Sequence, residues 1–381
     1  MLCEKNICNL SPDGYITGEM QTSTELTGGK NMSFVKEMWS GGQALDIRNL
    51  PMHPDAEAQI IQRPDEKYSF LHDCMITKYH GKIYTAWYNC PKGEMQEDSV
   101  IRGRISADDG RSWSEVKTFA QDHDQNFMYV PPSFGICPQN GHLYLIATRM
   151  VGPDLVHDFE IFELDEATET FHSVRRIDHA FLPNTPVYRM NNGKLIMGGR
   201  MSELDNDFPV YTAVAISDSG KIDGDWRIVQ ICPYNKGFDG WNYLPETCLS
   251  IYEDGSIIAF VRHDRRYPQI YESFDFGESW TPSQVHDIPV GDSKLFSGVL
   301  SDGRSYLITN LANQKRDTLA LFLSKPGERT FSEAFLLRNG VDETLNATPE
   351  WSYPAAVEDG GSLYVVCTSA KTSATFIKVR L

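Results

Sequence analysis

Three arginines in the sequence each stand at the end of an apolar run. Arg149, Arg200 and Arg262 end the runs in IATRM, MGGRM and FVRHD. Guanidinium groups form bidentate hydrogen bonds with carboxylates, so several of them in one place can bind an acidic substrate. The alternative for Arg149 and Arg200 is that each pairs with an acidic neighbour inside the fold. These arginines therefore predict either a carboxylate-binding site or buried ion pairs.

The overall charge makes such a local cluster necessary for any acidic ligand. The chain of 381 residues has 35 Lys and Arg against 52 Asp and Glu, a formal net charge of −17. This field repels phosphate backbones and anionic lipid headgroups. Nucleic acid is therefore an unfavourable partner, and we expect no nucleic-acid role.

Glu246 is the strongest candidate for a catalytic residue. It follows the segment WNYLP and stands directly before the apolar run TCLSIY. A carboxylate at the start of a buried strand is costly unless it has a partner or a chemical role. The competing interpretation is a glutamate on a surface loop.

Six glycine turns define the elements that must position these residues. The turns are His80-Gly81, Asn140-Gly141, Asn192-Gly193, Asp254-Gly255, Asp302-Gly303 and Asp359-Gly360. Asn-Gly and Asp-Gly pairs supply the positive φ angles of tight hairpins, and the flanking runs are rich in β-branched and aromatic residues. Helical periodicity is nearly absent. We predict an all-β fold, a six-bladed β-propeller of four-stranded antiparallel blades.

The last blade needs a strand from elsewhere in the chain. The final repeat ends at Leu381 after FIKVR, so we expect an N-terminal strand, within residues 33–50, to close the ring and remove an exposed edge. We predict an N-terminal extension over residues 1–32 and a single propeller domain over residues 33–381.

A pattern of the form S-x-D-x-G-x-x-W occurs twice, from Ser106 to Trp113 and from Ser273 to Trp280. The aspartate can accept backbone N–H groups in a turn, the glycine permits the bend, and the tryptophan packs between outer strands. We predict that both segments are structural. They resemble the Asp boxes, or BNR repeats, and from about residue 33 the chain resembles the sialidase superfamily of six-bladed propellers.

This resemblance implies a glycoside hydrolase site in the central funnel. The 16-residue interval from Glu246 to Arg262 is similar to that between the sialidase catalytic glutamate and the second arginine of its carboxylate-binding triad. Tyr353, in WSYP, resembles the nucleophilic tyrosine, whose proton Glu246 would remove. Asp73 is the candidate general acid.

The chain departs from the family pattern at two arginines. Leu71 and His72 stand where an Arg-Ile-Pro motif is expected, and Lys294 stands where the third arginine is sought in blade five. Arg149, Arg200 and Lys294 could rebuild a carboxylate clamp that suits a uronic acid. His72 could then act as an acid, a base or an electrostatic partner. Trp241 could stack on a sugar ring.

Three functions remain open on these observations. The first is a sialidase-like exo-hydrolase releasing a terminal acidic sugar, either through Tyr353 or with the two carboxylates of Asp73 and Glu246. The second is a polysaccharide lyase, in which His72 or Tyr353 abstracts a proton from a uronate, or another glycosidase acting on a uronate-containing or rhamnose-capped glycan. The third is a glycan-binding propeller without turnover.

Several features are not visible in the sequence. Ligand spacings for zinc or calcium are not seen, so we expect no metal and no cofactor. No signal peptide and no run of eighteen apolar residues is visible, so we expect no membrane span and a cytoplasmic location, or a periplasmic or secreted one if a signal peptide has been removed. The cysteines at positions 74, 248 and 367 lie in apolar runs and are predicted to be buried thiols.

Overall fold

A computed structural model gives the fold of the chain. It describes residues 35–95, 99–122, 127–152, 155–203, 206–232, 236–237, 240–241, 245–262, 269–312, 316–340 and 349–381. The predicted N-terminal extension, residues 1–32, lies outside these ranges. All secondary structure within them is β-strand apart from turns and bends.

The first three blades follow one another along the chain. Two strands precede them, β1 (Val35–Lys36) and β2 (Ala56–Gln62). Blade 1 consists of β3 (Phe70–Tyr79), β4 (Lys82–Cys90), β5 (Val100–Ser106) and β6 (Lys117–Ala120). Blade 2 consists of β7 (Met128–Ile136), β8 (Leu143–Val151), β9 (Leu155–Asp165) and β10 (Thr170–Ile177). Blade 3 consists of β11 (Phe181–Pro183), β12 (Tyr188–Arg189), β13 (Leu195–Glu203), β14 (Asn206–Ser217) and β15 (Arg227–Gln230). Its first strand is split into β11 and β12, which both pair with β13.

A short pair of strands, β16 (Lys236–Gly237) and β17 (Gly240–Trp241), comes before the second half of the ring. Blade 4 consists of β18 (Thr247–Ile251), β19 (Ile257–Val261), β20 (Gln269–Ser273) and β21 (Gln284–His286). Blade 5 consists of β22 (Phe296–Val299), β23 (Ser305–Thr309), β24 (Thr318–Ser324) and β25 (Phe331–Asn339). Blade 6 consists of β26 (Trp351–Asp359), β27 (Ser362–Ser369), β28 (Ser373–Arg380) and the early strand β2. The predicted six-bladed propeller of antiparallel blades is confirmed.

The six predicted glycine turns each join the first and second strands of a blade. Their glycines have φ between +57° and +84°, in the region that glycine adopts without strain: Gly81, Gly141, Gly193, Gly255, Gly303 and Gly360. The strands on either side are buried almost throughout, because each blade packs between two others and both of its faces are covered. The cysteines at 74, 248 and 367 lie in these strands and are fully buried, as predicted.

Both ends of the chain build the last blade, as expected, but the position predicted for the closing strand was wrong. The strand that pairs with β28 is β2, residues 56–62, not a segment within 33–50. Within 33–50, β1 instead pairs in parallel with β21 of blade 4. Trp39 then makes a parallel bridge to Phe331 of blade 5. The apolar residues of this stretch thus cover the outer edges of two other blades, and the later segment AEAQIIQ is left to close the ring.

The two copies of the S-x-D-x-G-x-x-W pattern make the same hydrogen bonds. The backbone N–H of Ser112 donates to Asp108 Oδ1 (2.8 Å), and that of Ser279 donates to Asp275 Oδ1 (2.9 Å). Each copy lies between the third and fourth strands of its blade. The turn-closing contacts predicted for the aspartates are therefore present in both.

Candidate active site

Three buried side chains, two beside the strands of blade 4 and one in β26 of blade 6, form a hydrogen-bonded cluster. The Tyr353 hydroxyl donates to Glu246 Oε1 (2.6 Å). Nη1 of Arg262 donates both to Glu246 Oε2 and to the Tyr353 hydroxyl oxygen, each at 2.8 Å. All three residues are more than 90% buried. The structure thus brings together the three residues that the sequence analysis assigned to base, nucleophile and carboxylate binding.

The backbone directs two site side chains through equivalent irregularities. The pairing of β3 with β4 shifts between His72 and Met75, and the pairing of β26 with β27 shifts between Ser352 and Ala355. Asp73 and Tyr353 lie within these shifts and have positive φ angles of 53° and 55°. Positive φ is unfavourable for residues other than glycine, and such positions concentrate at functional sites. A bulge re-aims a side chain, so both irregularities serve to present Asp73 and Tyr353.

The charges around the cluster set its protonation. Burial opposes ionisation of Glu246, but Arg262, Arg200 and the hydrogen bonds outweigh it and leave the pKa of Glu246 below its usual range. For Tyr353, burial raises the pKa well above its usual value, despite the opposing influence of Arg262. At neutral pH the cluster therefore holds an ionised carboxylate that accepts a hydrogen bond from a neutral phenol.

Asp73 and Lys294 form a second buried pair beside this cluster. Lys294 Nζ donates to Asp73 Oδ1, and the two side chains are almost fully buried. Burial raises the pKa of Asp73 to about 6, against the lowering influence of Lys294. A carboxyl group with a pKa near the working pH is suited to general acid and base catalysis. Lys294 was predicted as a substrate-binding cation, and in the structure its ammonium is engaged with Asp73.

His72 is packed rather than exposed to a substrate. Its ring centroid lies 4.1 Å from that of Tyr353, and its Nδ1 is 3.2 Å from Thr368 Oγ1. Burial and the nearby cations Lys371 and Arg316 keep its pKa well below the usual value. His72 is therefore a neutral imidazole that packs against the ring of Tyr353.

The structure reveals an arginine that the sequence analysis missed. The guanidinium of Arg316 lies 5.7 Å from the ring centroid of Tyr353 and pairs with Glu350 at 3.2 Å. In the sequence, Lys294 stands at the position where the third arginine of the family pattern is sought. Arg316 instead comes six residues after Asn310, next to β24. Blade 5 therefore places an arginine near the Tyr353 ring in addition to Lys294.

The other two predicted arginines differ in their surroundings. Arg149 makes a buried bidentate ion pair with Asp158, with Nε–Oδ1 and Nη2–Oδ2 distances of 2.6 and 2.5 Å. Its guanidinium also lies 4.1 Å from the ring centroid of Phe127. Arg200 is half-buried in β13, and within the described part of the chain no acidic side chain pairs with it. The contacts of Arg149 match the alternative of a structural ion pair, whereas the charge of Arg200 acts on Glu246 and Asp73.

Two more residues complete the description of the predicted site. Trp241 lies in β17, but its side chain is outside the described part of the structure. Asp292, which the sequence analysis did not single out, accepts a hydrogen bond from Arg262 Nε at 3.0 Å and is half-exposed. Asp292 and Glu246 therefore bind two different nitrogens of the Arg262 guanidinium.

Among the residues that the structure describes, no three His, Cys, Asp or Glu side chains are grouped so that they could hold a metal ion. In the same ranges there is no helix with the length and apolar character of a membrane span.

Comparison with known proteins identifies similar folds. The family model described as BNR repeat-like domain matches residues 81–365. No curated protein sequence matches the chain significantly. The solved structure titled Hadza microbial sialidase Hz136 has a TM-score of 0.69 at 13% identity, covering 85% of this chain and 68% of its own. The NanB sialidase from Streptococcus pneumoniae has a TM-score of 0.66 at 11% identity, covering 85% and 70%. A protein of unknown function from Dyadobacter fermentans has a TM-score of 0.67 at 15% identity, covering 86% of this chain and all of its own.

Proposed function

The chain belongs to the BNR repeat-like domain family, and from this membership and the geometry of the site we propose that it is a sialidase-like exo-glycoside hydrolase that releases a terminal acidic sugar. The observation that carries the proposal is the 2.6 Å hydrogen bond from the Tyr353 hydroxyl to Glu246. An ionised carboxylate in contact with a neutral phenol is the arrangement of a nucleophile activated by a general base. Most glycosidases use two carboxylates, and the sialidases are the class with a tyrosine nucleophile.

The first chemical step uses three residues in these roles. The Tyr353 oxygen attacks the anomeric carbon while its proton passes to Glu246. The glycosidic bond breaks, and Asp73 gives its proton to the departing oxygen. The result is a sugar bound covalently to Tyr353, an ionised Asp73 and a protonated Glu246. A neutral nucleophile avoids the repulsion that a carboxylate would exert on an acidic sugar.

The second step returns the enzyme to its starting state. A water molecule attacks the anomeric carbon and gives a proton to Asp73. The bond to Tyr353 breaks, and the phenol recovers its proton from Glu246. The configuration at the anomeric carbon is retained because it is inverted twice.

The cations around the cluster support an acidic sugar as the substrate. Arg262 and Arg316 lie beside Tyr353, and Arg200 influences the proton affinity of both Glu246 and Asp73. These three guanidinium groups come from different blades, so they can surround a carboxylate near the anomeric carbon. Two of the similar folds are titled sialidases, which makes sialic acid the first sugar to test.

Hydrolysis of a panel of fluorogenic aryl glycosides tests this proposal. The panel contains α-sialosides, uronides, rhamnosides and neutral hexosides, and each is incubated with the wild-type protein and with Tyr353→Phe. We expect turnover of an acidic glycoside by the wild type only. Turnover of neutral glycosides alone would overturn the acidic-sugar assignment, and equal turnover by Tyr353→Phe would overturn the nucleophile assignment.

Natural glycans that contain uronates extend the test to the other functions. A product that absorbs ultraviolet light as an unsaturated uronate would indicate a lyase. Binding of such glycans without any cleavage, in a wild-type protein that unfolds cooperatively, would indicate a glycan-binding propeller.

A further inference from the structure

Lys294 occupies an unusual position for a lysine. Only 1% of its surface is exposed, and its ammonium, just before the first strand of blade 5, donates to Asp73 in blade 1. The same ammonium lies 5.3 Å from the ring centroid of Tyr353. A buried ammonium carries a large desolvation cost, which is offset only by close and well-placed partners. Lys294 therefore connects the two residues to which the proposed mechanism assigns the acid and the nucleophile.

We propose that Lys294 is a positioning residue that stabilises the ionised Asp73 needed to hydrolyse the covalent intermediate on Tyr353. The inference rests on the proposed function, since it concerns the second step of that mechanism. In the first step Asp73 gives a proton to the leaving oxygen, and a protonated carboxyl is sufficient. In the second step Asp73 must accept a proton from water, and only its ionised form can do so.

The surroundings of Asp73 make Lys294 the main group that favours its ionised form. Burial disfavours the charge, an ionised Glu246 also disfavours it in the resting state, and Arg200 offers a weaker attraction than Lys294. The titratable and charged groups that act on it or feel its charge are Lys294, Glu246, Arg200, Tyr88 and Cys74. Without Lys294 only Arg200 among these is a cation. Loss of Lys294 would therefore favour the protonated form of Asp73 over the ionised form.

Loss of the Lys294 charge should therefore slow the second step more than the first. For Lys294→Met we expect kcat to fall by about 10²-fold, the lower end of what a general base contributes. We expect kcat/KM to fall by at most about fivefold, because this parameter reports only the first step. The small fall would come from the lost contact between the ammonium and the Tyr353 ring. KM should fall together with kcat. The intermediate should accumulate, giving a burst of one aryl group per site and a mass increase of one sugar.

Three variants control this experiment. Lys294→Gln keeps a hydrogen-bond donor without the charge and should behave like Lys294→Met, whereas Lys294→Arg keeps the charge and should show no burst. Lys78, near the C-terminal end of β3, provides a matched control because it also contacts an aspartate and a tyrosine ring. It pairs with Asp109 at 3.1 Å and lies 5.1 Å from the ring centroid of Tyr364. Lys78→Met should show wild-type kcat and no burst. A fall of kcat and kcat/KM by the same factor in both uncharged variants, without a burst, would overturn the proposal.

A titration without substrate separates this inference from the proposed function. Asp73 can be followed by carboxyl ¹³C NMR of protein labelled at aspartate, with Asp73→Asn identifying its resonance. We expect the Asp73 transition to move to higher pH by at least one unit in Lys294→Gln and to remain in place in Lys78→Met. An unmoved transition would overturn the role of Lys294 whether or not the protein hydrolyses glycosides. If the transition moves and no glycoside is turned over, the failure lies in the proposed function.

Discussion

The hydroxyl of Tyr353 and the carboxylate of Glu246 lie 2.6 Å apart although 107 residues separate them in the chain. Arg262 Nη1 donates to both of them. One guanidinium nitrogen thus fixes the distance between the two side chains and favours the negative charge whether it resides on Glu246 or on Tyr353. Under the proposed mechanism both positions of the proton are stabilised, so its transfer would require little reorganisation of the site.

The first prediction concerns this pair. Glu246→Gln keeps the shape of the side chain but removes its ability to accept the proton, so kcat/KM should fall by about 10²–10⁴-fold. Tyr353→Phe removes the proposed nucleophile, so its kcat/KM should fall by at least the same factor. Steady-state kinetics with the acidic aryl glycoside identified in the panel provides the measurement. Circular dichroism and the melting temperature show whether each variant is folded, and wild-type kinetics in either variant would refute the assignment.

The second prediction is the pH dependence of kcat/KM. Arg262 and Arg200 overcome burial and lower the pKa of Glu246, so the base remains ionised and active into the acidic range. Burial raises the pKa of Asp73 to about 6, so the acid loses its proton, and the activity declines, as the pH rises through that value. The optimum should therefore lie below pH 6, with a fall of about tenfold per pH unit well above it. Profiles between pH 3.5 and 8 measure this.

Asp73→Asn supplies the control for the pH profile. The variant has no titrating acid at this position, so its residual activity toward an activated aryl glycoside should show no decline near pH 6. A basic limb with the same midpoint in this variant would assign that limb to another group.

Local sequence signals predicted the ring of six blades and part of the candidate site. They missed the closing strand and Arg316, whose positions depend on contacts between distant parts of the chain. Gly81 and the other turn glycines act within a hairpin, and Glu246 and Arg262 flank a single hairpin, so spacing along the chain is informative for them. The closing strand depends on pairing between residues 56–62 and β28, which no local pattern specifies. Arg316 was missed because its place depends on the course of the chain after β23.

The ion pairs of the site were likewise not predictable from local sequence. Asp158 faces Arg149 across the pairing of β8 with β9, and this register decides that the arginine is structural. The partner of Lys294 is 221 residues away in another blade. Residue type alone could not show which cations the fold neutralises and which, like Arg200, remain without an acidic partner in the part of the chain that the structure describes.

The third prediction concerns the aspartates of the two repeated turns. Asp275→Ala removes a backbone and a side-chain hydrogen bond from Ser279, at 2.9 and 2.5 Å, and should lower the free energy of unfolding by roughly 1 kcal/mol after allowance for solvent exposure. Asp108→Ala should also lower the melting temperature. Neither variant should change kcat, because both turns lie between outer strands. Urea unfolding and steady-state kinetics check this, and a selective loss of kcat without any loss of stability would contradict the structural assignment.

The fourth prediction separates Arg200 from Arg149. Arg200 has no acidic partner in the described structure, so Arg200→Ala should leave stability nearly unchanged and reduce kcat/KM for the acidic glycoside by about 10–100-fold, the value of a charge-assisted hydrogen bond. Arg149→Ala leaves the buried Asp158 without its partner and should cost about 3–5 kcal/mol in the free energy of unfolding. Its effect on KM should be small. Urea unfolding and kinetics on both variants provide the comparison, and an exchange of the two phenotypes would show that blade 2, and not blade 3, supplies the substrate-binding arginine.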